Sequence, residues 1–265
     1  MFINEQTGIA FLMGSKTCGG GLHMVNLSTP KAPEFIGCFS DDGYTHDAQC
    51  VVYEGPDLHF AGQHVCFSYN EDTLTLVDVT QPLEPKMLAR VGYENSRYTH
   101  QGWLDDKQEY AFVNDELDEA GWKPDHPEGP SKNTRTMVWD VRNLSDPKLV
   151  GNFYSTEVSI DHNLYVDGRV LFESNYCAGL RILEIVEGTP PTLKEIGFFD
   201  VNPECKEVRF RGTWSNYPWF QSGIVVVTDM TRGVFLLRPK LTGRWDLGES
   251  RRQAHIKRVA KGMSN

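Results

Sequence analysis

The apolar positions of this chain fall in short runs separated by turn residues, and one arrangement of them repeats. Its first copy runs Leu22-His-Met-Val-Asn-Leu27, then a Pro-containing stretch, then Glu34-Phe-Ile-Gly-Cys-Phe39. The second joins Leu74-Thr-Leu-Val-Asp-Val79 to Lys86-Met-Leu-Ala-Arg-Val91, and the third joins Met137-Val-Trp-Asp-Val141 to Lys148-Leu-Val-Gly-Asn-Phe153. The fourth joins Leu180-Arg-Ile-Leu-Glu-Ile185 to Leu193-Lys-Glu-Ile-Gly-Phe198, and a fifth begins at Val234-Phe-Leu-Leu-Arg238 and stops. Each copy is an aliphatic strand, a Pro-marked turn and a second short strand. Proline fixes φ and lacks an N–H, so it belongs in the connection and not in a central ladder.

Two more strands fit between successive copies. The first of each pair spans 44–53, 98–105, 159–167 and 211–220; the second spans 63–69, 109–114, 169–173 and 223–228, with 9–14 as a further second strand. Four strands in the order a-b-c-d, recurring every 40 to 60 residues or so, predict an all-β fold: a β-propeller of about five four-stranded blades. In this register the first unit lacks strand a and the last lacks strand d. The expectation is therefore an incomplete propeller, with N-terminal blades missing, over residues 1–240. Residues 241–265, with Arg244, Arg251, Arg252, Lys257, Arg258 and Lys261, read as a basic, solvated tail.

Composition narrows the function classes. A net charge of −10 over 265 residues argues against nucleic acid as a partner and against a polybasic membrane patch. No apolar run is long enough for a transmembrane segment, and the first residues lack the pattern of a signal peptide. Six cysteines include no C-x-x-C. The spacing of the first four suits bridges between neighbouring strands in an oxidising compartment, while six reduced thiols in a cytosolic protein remain the alternative.

The strand-a segments share unusual chemistry. Tyr44-Thr45-His46-Asp47 aligns with Tyr98-Thr99-His100-Gln101 and with Ile160-Asp161-His162-Asn163; the last unit carries Gly212-Thr213-Trp214-Ser215. Strand a is innermost in a propeller blade, so these positions circle the central channel. The second strands end in Asn70-Glu71-Asp72, Asn114-Asp115-Glu116 and Glu173-Ser174-Asn175, and antiparallel pairing puts those ends at the same rim. Imidazoles bind transition metals, and a carboxylate on the second ring nitrogen fixes the ligating tautomer. His46, His100 and His162 are thus candidate ligands for one Zn, Fe or Cu ion. Glu71, Glu116, Glu173, Asp47 and Asp161 are candidate outer carboxylates. Two other readings stay open: histidines that tie blades together by hydrogen bonds, and an organic-ligand pocket. The run Asp115-Glu116-Leu117-Asp118-Glu119 offers oxygen ligands for Ca²⁺ but lacks the spacing of an EF-hand loop, and reads as an acidic loop edge. His23, His59, His64, His126 and His255 fall outside the circle, and no nucleophile elbow is present.

Several longer phrases, among them GGGLHMVNLSTPKAPEFIGCF, YTHDAQCVVYEGPD, NTRTMVWDV, SNYCAGLRILEI and GTWSNYPWFQSG, resemble the LVIVD-repeat proteins called the choice-of-anchor B family. The resemblance covers roughly residues 3–239. It implies an extracellular or cell-surface β-propeller, with no established enzymatic activity and disulfides Cys18–Cys38 and Cys50–Cys66. On this reading the protein is a binding module for a protein or glycan at one channel rim. The alternative is a metalloenzyme working through oxidative or hydrolytic chemistry in the channel.

Overall fold

A computed structural model describes residues 1–121 and 132–241. The chain folds into five antiparallel sheets laid out in sequence as the blades of a propeller. Blade 1 comprises β1 (Phe2–Asn4), β2 (Ile9–Leu12), β3 (Leu22–Asn26) and β4 (Glu34–Phe39); blade 2 comprises β5 (Asp47–Val52), β6 (His64–Tyr69), β7 (Thr73–Asp78) and β8 (Lys86–Gly92). Blade 3 is built from β9 (Thr99–Leu104), β10 (Tyr110–Asp115), β11 (Asn133–Asp140) and β12 (Lys148–Val158). Blade 4 follows with β13 (Asn163–Asp167), β14 (Val170–Asn175), β15 (Gly179–Val186) and β16 (Thr192–Phe199). Among the described residues blade 5 has three strands, β17 (Thr213–Tyr217), β18 (Val225–Asp229) and β19 (Gly233–Leu237).

The expected all-β propeller of about five blades is the fold observed. One expectation needs correction: the first unit does have a strand a. β1 pairs with β2 in the register Phe2↔Phe11, Ile3↔Ala10 and Asn4↔Ile9. At three residues it is too short for alternation to be read. It is closed by Asn4, whose side-chain oxygen accepts the amides of Gln6 and Thr7. His126, His255 and the basic tail from residue 242 onward lie outside the described residues.

The core is divided among the blade-to-blade interfaces. One cluster joins Phe11, Leu22 and Met24 of blade 1 to Ala48 and Cys50 of blade 2. The next sets Tyr69, Leu74 and Leu76 against Met137 and Trp139 of blade 3, and two more repeat the pattern toward blades 4 and 5. This is why strands b and c read as almost continuously apolar: both of their faces are covered. Inner strands touch in turn, β1 on β5, β5 on β9, β9 on β13 and β13 on β17. Polar ties join them: Asn4 donates to the carbonyl of Cys50 (3.0 Å), and the Gln101 amide exchanges two hydrogen bonds with the backbone of Leu164 (2.9 and 2.8 Å).

All six cysteines are paired, as Cys18–Cys38, Cys50–Cys66 and Cys177–Cys205. The first two are the pairs expected. The third ties the start of the β14–β15 turn to the connection that leads from blade 4 into blade 5.

Between blades 1 and 2, Asp42 takes hydrogen bonds from Asn70 (2.6 Å), Thr75 (2.5 Å) and Arg90, all in blade 2. Burial alone would raise its pKa, but the bonds from Thr75, Arg90 and Asn70 outweigh it and hold the carboxyl below the ordinary Asp value. Asp42→Ala should therefore cost about 2–3 kcal/mol at neutral pH, since donors would be left unsatisfied. The sign of the linkage is that of a depressed acid. Its contribution is fully present above the unfolded Asp pKa and lost as pH falls through the lower folded value. Urea melts of wild type and variant should converge in acid; a constant difference down to pH 2 would refute this account.

Candidate functional site

Register shows which residues are equivalent at the channel rim. Asp47 pairs with Tyr69, Gln101 with Asn114, Asn163 with Ser174 and Ser215 with Thr228. One position before each of the first set stand His46, His100, His162 and Trp214. Two positions after each of the second set stand Glu71, Glu116, Tyr176 and Met230. Blade 4 thus carries Tyr176, and not Glu173, where blades 2 and 3 carry glutamates.

The histidines lie side by side at the mouth. Ring centroids are 4.0 Å apart for His46 and His100 and 4.4 Å for His100 and His162. Each leans on the backbone of the next blade. His46 Nδ1 donates to the carbonyl of His100 (2.8 Å), and His162 Nδ1 donates to the carbonyl of Trp214. His100 lies against the backbone of His162 in the same sense, short of full hydrogen-bond geometry. A carbonyl can only accept, so Nδ1 carries the hydrogen, and Nε2 of a neutral ring bears a lone pair.

His100 and His162 are both held neutral. Desolvation pushes His100 well below the usual His pKa, with the neighbouring His162 and His46 adding to it. Desolvation likewise lowers His162, to about 4. Their Nε2 atoms face one carboxylate: His100 Nε2 is 3.7 Å from Glu116 Oε2, and His162 Nε2 is 3.5 Å from Glu116 Oε1. Glu116 is half-buried; desolvation raises its pKa against a hydrogen bond from the Tyr176 hydroxyl (2.6 Å).

One atom from each of His100, Glu116 and His162 lies within 4.8 Å of the others. Ligands about 2.1 Å from a shared ion, at tetrahedral to octahedral angles, stand about 3.0–3.4 Å apart. The two nitrogen–oxygen spacings, 3.5 and 3.7 Å, are a few tenths of an ångström wider. His46 sits against His100 but is not in that donor set. Of the other candidate carboxylates, Glu71 joins Thr99 through backbone hydrogen bonds at a left-handed φ of 57°. Glu173 is buried and accepts from Thr136 and Asn175 (2.9 Å), and Asp47 accepts the amide of Ala48 (2.8 Å). Asp161 belongs to a second group with Asp118 and Glu119.

That second group corrects the reading of Asp115–Glu119 as an acidic loop edge. Asp115, Asp118 and Glu119 are each buried, at 0%, 2% and 1% exposure. The run turns inward because donors meet it there. Tyr93, Arg97 and Tyr98 each place a donor 2.7 Å from Asp115, and Arg135 approaches Asp118 to 2.7 Å.

Aromatic rings frame the histidines. Tyr98 stands edge-on to His46 (5.3 Å), Trp214 lies 4.7 Å from His162, and Tyr44 and Trp214 reach solvent. Tyr176 was not foreseen from the sequence, although counting the register back from His162 finds it. Further along the inner strands, Trp103, Tyr165 and Trp219 pack mutually at 5.1–5.2 Å, with Tyr217 and Phe220 continuing outward.

No protein-family model matches the chain, and no curated protein matches it in sequence. Solved structures do. A protein from Lactobacillus plantarum aligns at a TM-score of 0.61 with 12% identity, over 90% of this chain and 66% of its own. Hydrazine synthase of Kuenenia stuttgartiensis aligns at 0.54 with 10% identity, over 89% of this chain and 63% of its own. The chain thus spans a little under two thirds of the length of each. At such identities the likeness is one of architecture: this chain has the fold of a β-propeller.

Proposed function

We propose that this propeller holds one divalent transition-metal ion at the rim of its channel, with His100, His162 and Glu116 as ligands and His46 beside them. One observation carries the reading. The Glu116 carboxylate faces the Nε2 atoms of His100 and His162, two rings held neutral by burial, at 3.7 and 3.5 Å. With the lone pairs on Nε2, such a set favours a cation between its members. The backbone bonds on Nδ1 and the Tyr176 bond on Glu116 are the outer contacts that orient ligands for a metal. Two imidazoles and a carboxylate leave coordination positions open, as in centres that activate oxygen or water, and the exposed Trp214 and Tyr44 would line the approach. The rival reading, in which Glu116 ties the histidines together by accepting a hydrogen from Nε2, is separated from this one by the stability of Glu116→Gln without metal.

The phrases that resemble the choice-of-anchor B family support an exported protein. Three disulfides fit the same oxidising compartment. Among the described residues no helix is long and apolar enough to cross a membrane.

The test is metal content by plasma mass spectrometry after growth with Zn, Fe and Cu, beside His100→Ala checked for folding by circular dichroism. Wild type should hold about one ion per chain and the variant under about a tenth of that. A folded wild type that takes up none of the three would overturn the reading. It would move the search to the aromatic run through Trp103, Trp219 and Tyr217, as a stacking surface for a glycan or protein partner.

A further inference from the structure

The three disulfides differ in what surrounds them. Cys50, Cys66, Cys177 and Cys205 are all buried. Cys38 is exposed and Cys18 half-buried, so of the three bridges this one can be reached by a thiol while the fold stays closed. Attack on a disulfide needs such access before anything else.

Further features mark the same bridge. His23 is the direct cross-strand partner of Cys38 in the β3–β4 ladder, and its Nδ1 lies 3.6 Å from the Cys18 sulfur. The same nitrogen is 2.8 Å from the Thr17 hydroxyl, and Phe35 packs on the ring at 4.8 Å, so the imidazole is held beside the bridge. Cys18 stands at a left-handed φ of 54°, a conformation disfavoured for a residue with a Cβ. Opening the bridge frees it to relax. Blade 1 has other ties that keep it in place. β3 and β4 pair from Leu22↔Phe39 to Asn26↔Glu34, and the Gly20 carbonyl accepts the amides of Gly14 (2.9 Å) and Thr45 (3.1 Å).

We infer that Cys18–Cys38 is a thiol–disulfide exchange site, opened by an external dithiol while blade 1 stays folded. One thiolate of the dithiol attacks Cys38, the more exposed sulfur, and forms a mixed disulfide as the Cys18–Cys38 bond breaks. The electron pair of that bond leaves on Cys18, whose thiolate accepts a hydrogen bond from His23 Nδ1 and then a proton from solvent. The second thiolate of the dithiol attacks its partner sulfur in the mixed disulfide and releases Cys38, which is protonated in turn. Two electrons pass to the cysteine pair, and the dithiol departs as a disulfide. A hydrogen-bond donor beside the departing sulfur stabilises its thiolate and speeds the first step. The inference does not rest on the transition-metal reading, because none of these residues is in that donor set.

The experiment is timed reduction of the native full chain by dithiothreitol, with iodoacetamide labelling and peptide mass mapping at intervals. Cys18 and Cys38 should be labelled together, at least about 100-fold faster than the four buried cysteines. With reduced glutathione, quenched early, the adduct should lie on Cys38. His23→Gln should slow opening of this bridge about 10-fold and leave the rates at the buried bridges unchanged, a pattern that loosening of blade 1 would not produce. One common rate for all three bridges would overturn the inference, as would glutathione on Cys18 or an unslowed His23→Gln. Should that variant fail to fold, the wild-type rates and the adduct position decide. His100→Ala, which removes a proposed metal ligand, should open the bridge at the wild-type rate, so failure of that reading and failure of this one are distinguishable.

Discussion

Reduction of the three disulfides should lower the unfolding free energy of this propeller by about 6–10 kcal/mol, enough to leave the chain largely unfolded. The bridges close loops of 20, 16 and 28 residues that do not overlap. On the chain-entropy account each such loop contributes about 3 kcal/mol by restricting the unfolded ensemble, and separate loops add. A domain of this size has a total of about 5–15 kcal/mol, so little would remain. Position decides which bridge matters most. Cys50 and Cys66 are direct cross-strand partners in an already paired ladder, and both are fully buried, so as thiols they would still pack. Cys177–Cys205 closes the longest loop and anchors the connection into blade 5, whose Val201, Asn202 and Cys205 are buried. The paired replacement Cys177→Ala with Cys205→Ala should thus cost more than Cys50→Ala with Cys66→Ala. Urea titrations of oxidised and reduced protein measure the sum; a total loss below about 2 kcal/mol would contradict the account.

Most of the fold was legible in the chain because the repeat writes strands c and d in the same residue types each time. Leu22–Asn26, Thr73–Asp78 and Gly179–Val186 lie where the aliphatic runs place them, and each Pro falls in the connection that follows. The circle of His46, His100 and His162 was legible for a related reason: one inner-strand position per blade makes alignment equivalent to geometry. What escaped the sequence depends on pairing across elements. β1 consists of three residues whose strand character comes from β2. Cys177 and Cys205 sit in segments with no periodic signal, brought together only when β15 and β16 fold back. Asp161 reads as an outer carboxylate of the histidine set, but it enters just before β13 and lies with Asp118 and Glu119 instead. Glu173 was counted as the rim carboxylate of blade 4. The register puts it three residues short of the rim, bonded to Thr136 of blade 3. Tyr176 stands at the rim in its place, at a left-handed φ of 28°, a strained conformation of the kind that collects at binding and catalytic sites.

Replacement of Glu116 by Ala should lower transition-metal affinity by about 10²–10³, and Tyr176→Phe by about 10–100. The gap follows from what each residue touches. Glu116 faces both Nε2 atoms and would be the one anionic ligand of the proposed site, so its loss would leave two neutral imidazoles in a desolvated pocket with nothing to balance the ion's charge. Tyr176 would act on a bound ion only through Glu116, whose Oε1 it holds at 2.6 Å, and it also packs on His162 at 4.8 Å. Phenylalanine keeps that packing and removes the hydroxyl, so the carboxylate is freed to turn while the histidines stay in place. Stability without metal distinguishes ligand from scaffold. In the metal-free protein Glu116 is a half-buried carboxylate facing two lone pairs, so Glu116→Gln should unfold at the same midpoint as wild type or slightly higher. With metal present, wild type should gain a clear rise in midpoint that the variant lacks. Competition titration with a chromophoric chelator measures the affinities. If Glu116→Ala and Tyr176→Phe bind metal as tightly as wild type, Glu116 is not a ligand and the ion, if bound, sits on the three histidines alone. If Glu116→Gln instead destabilises the metal-free protein by several kcal/mol, the carboxylate is a structural partner of protonated histidines. The acceptor-facing-acceptor argument for a cation would then fail.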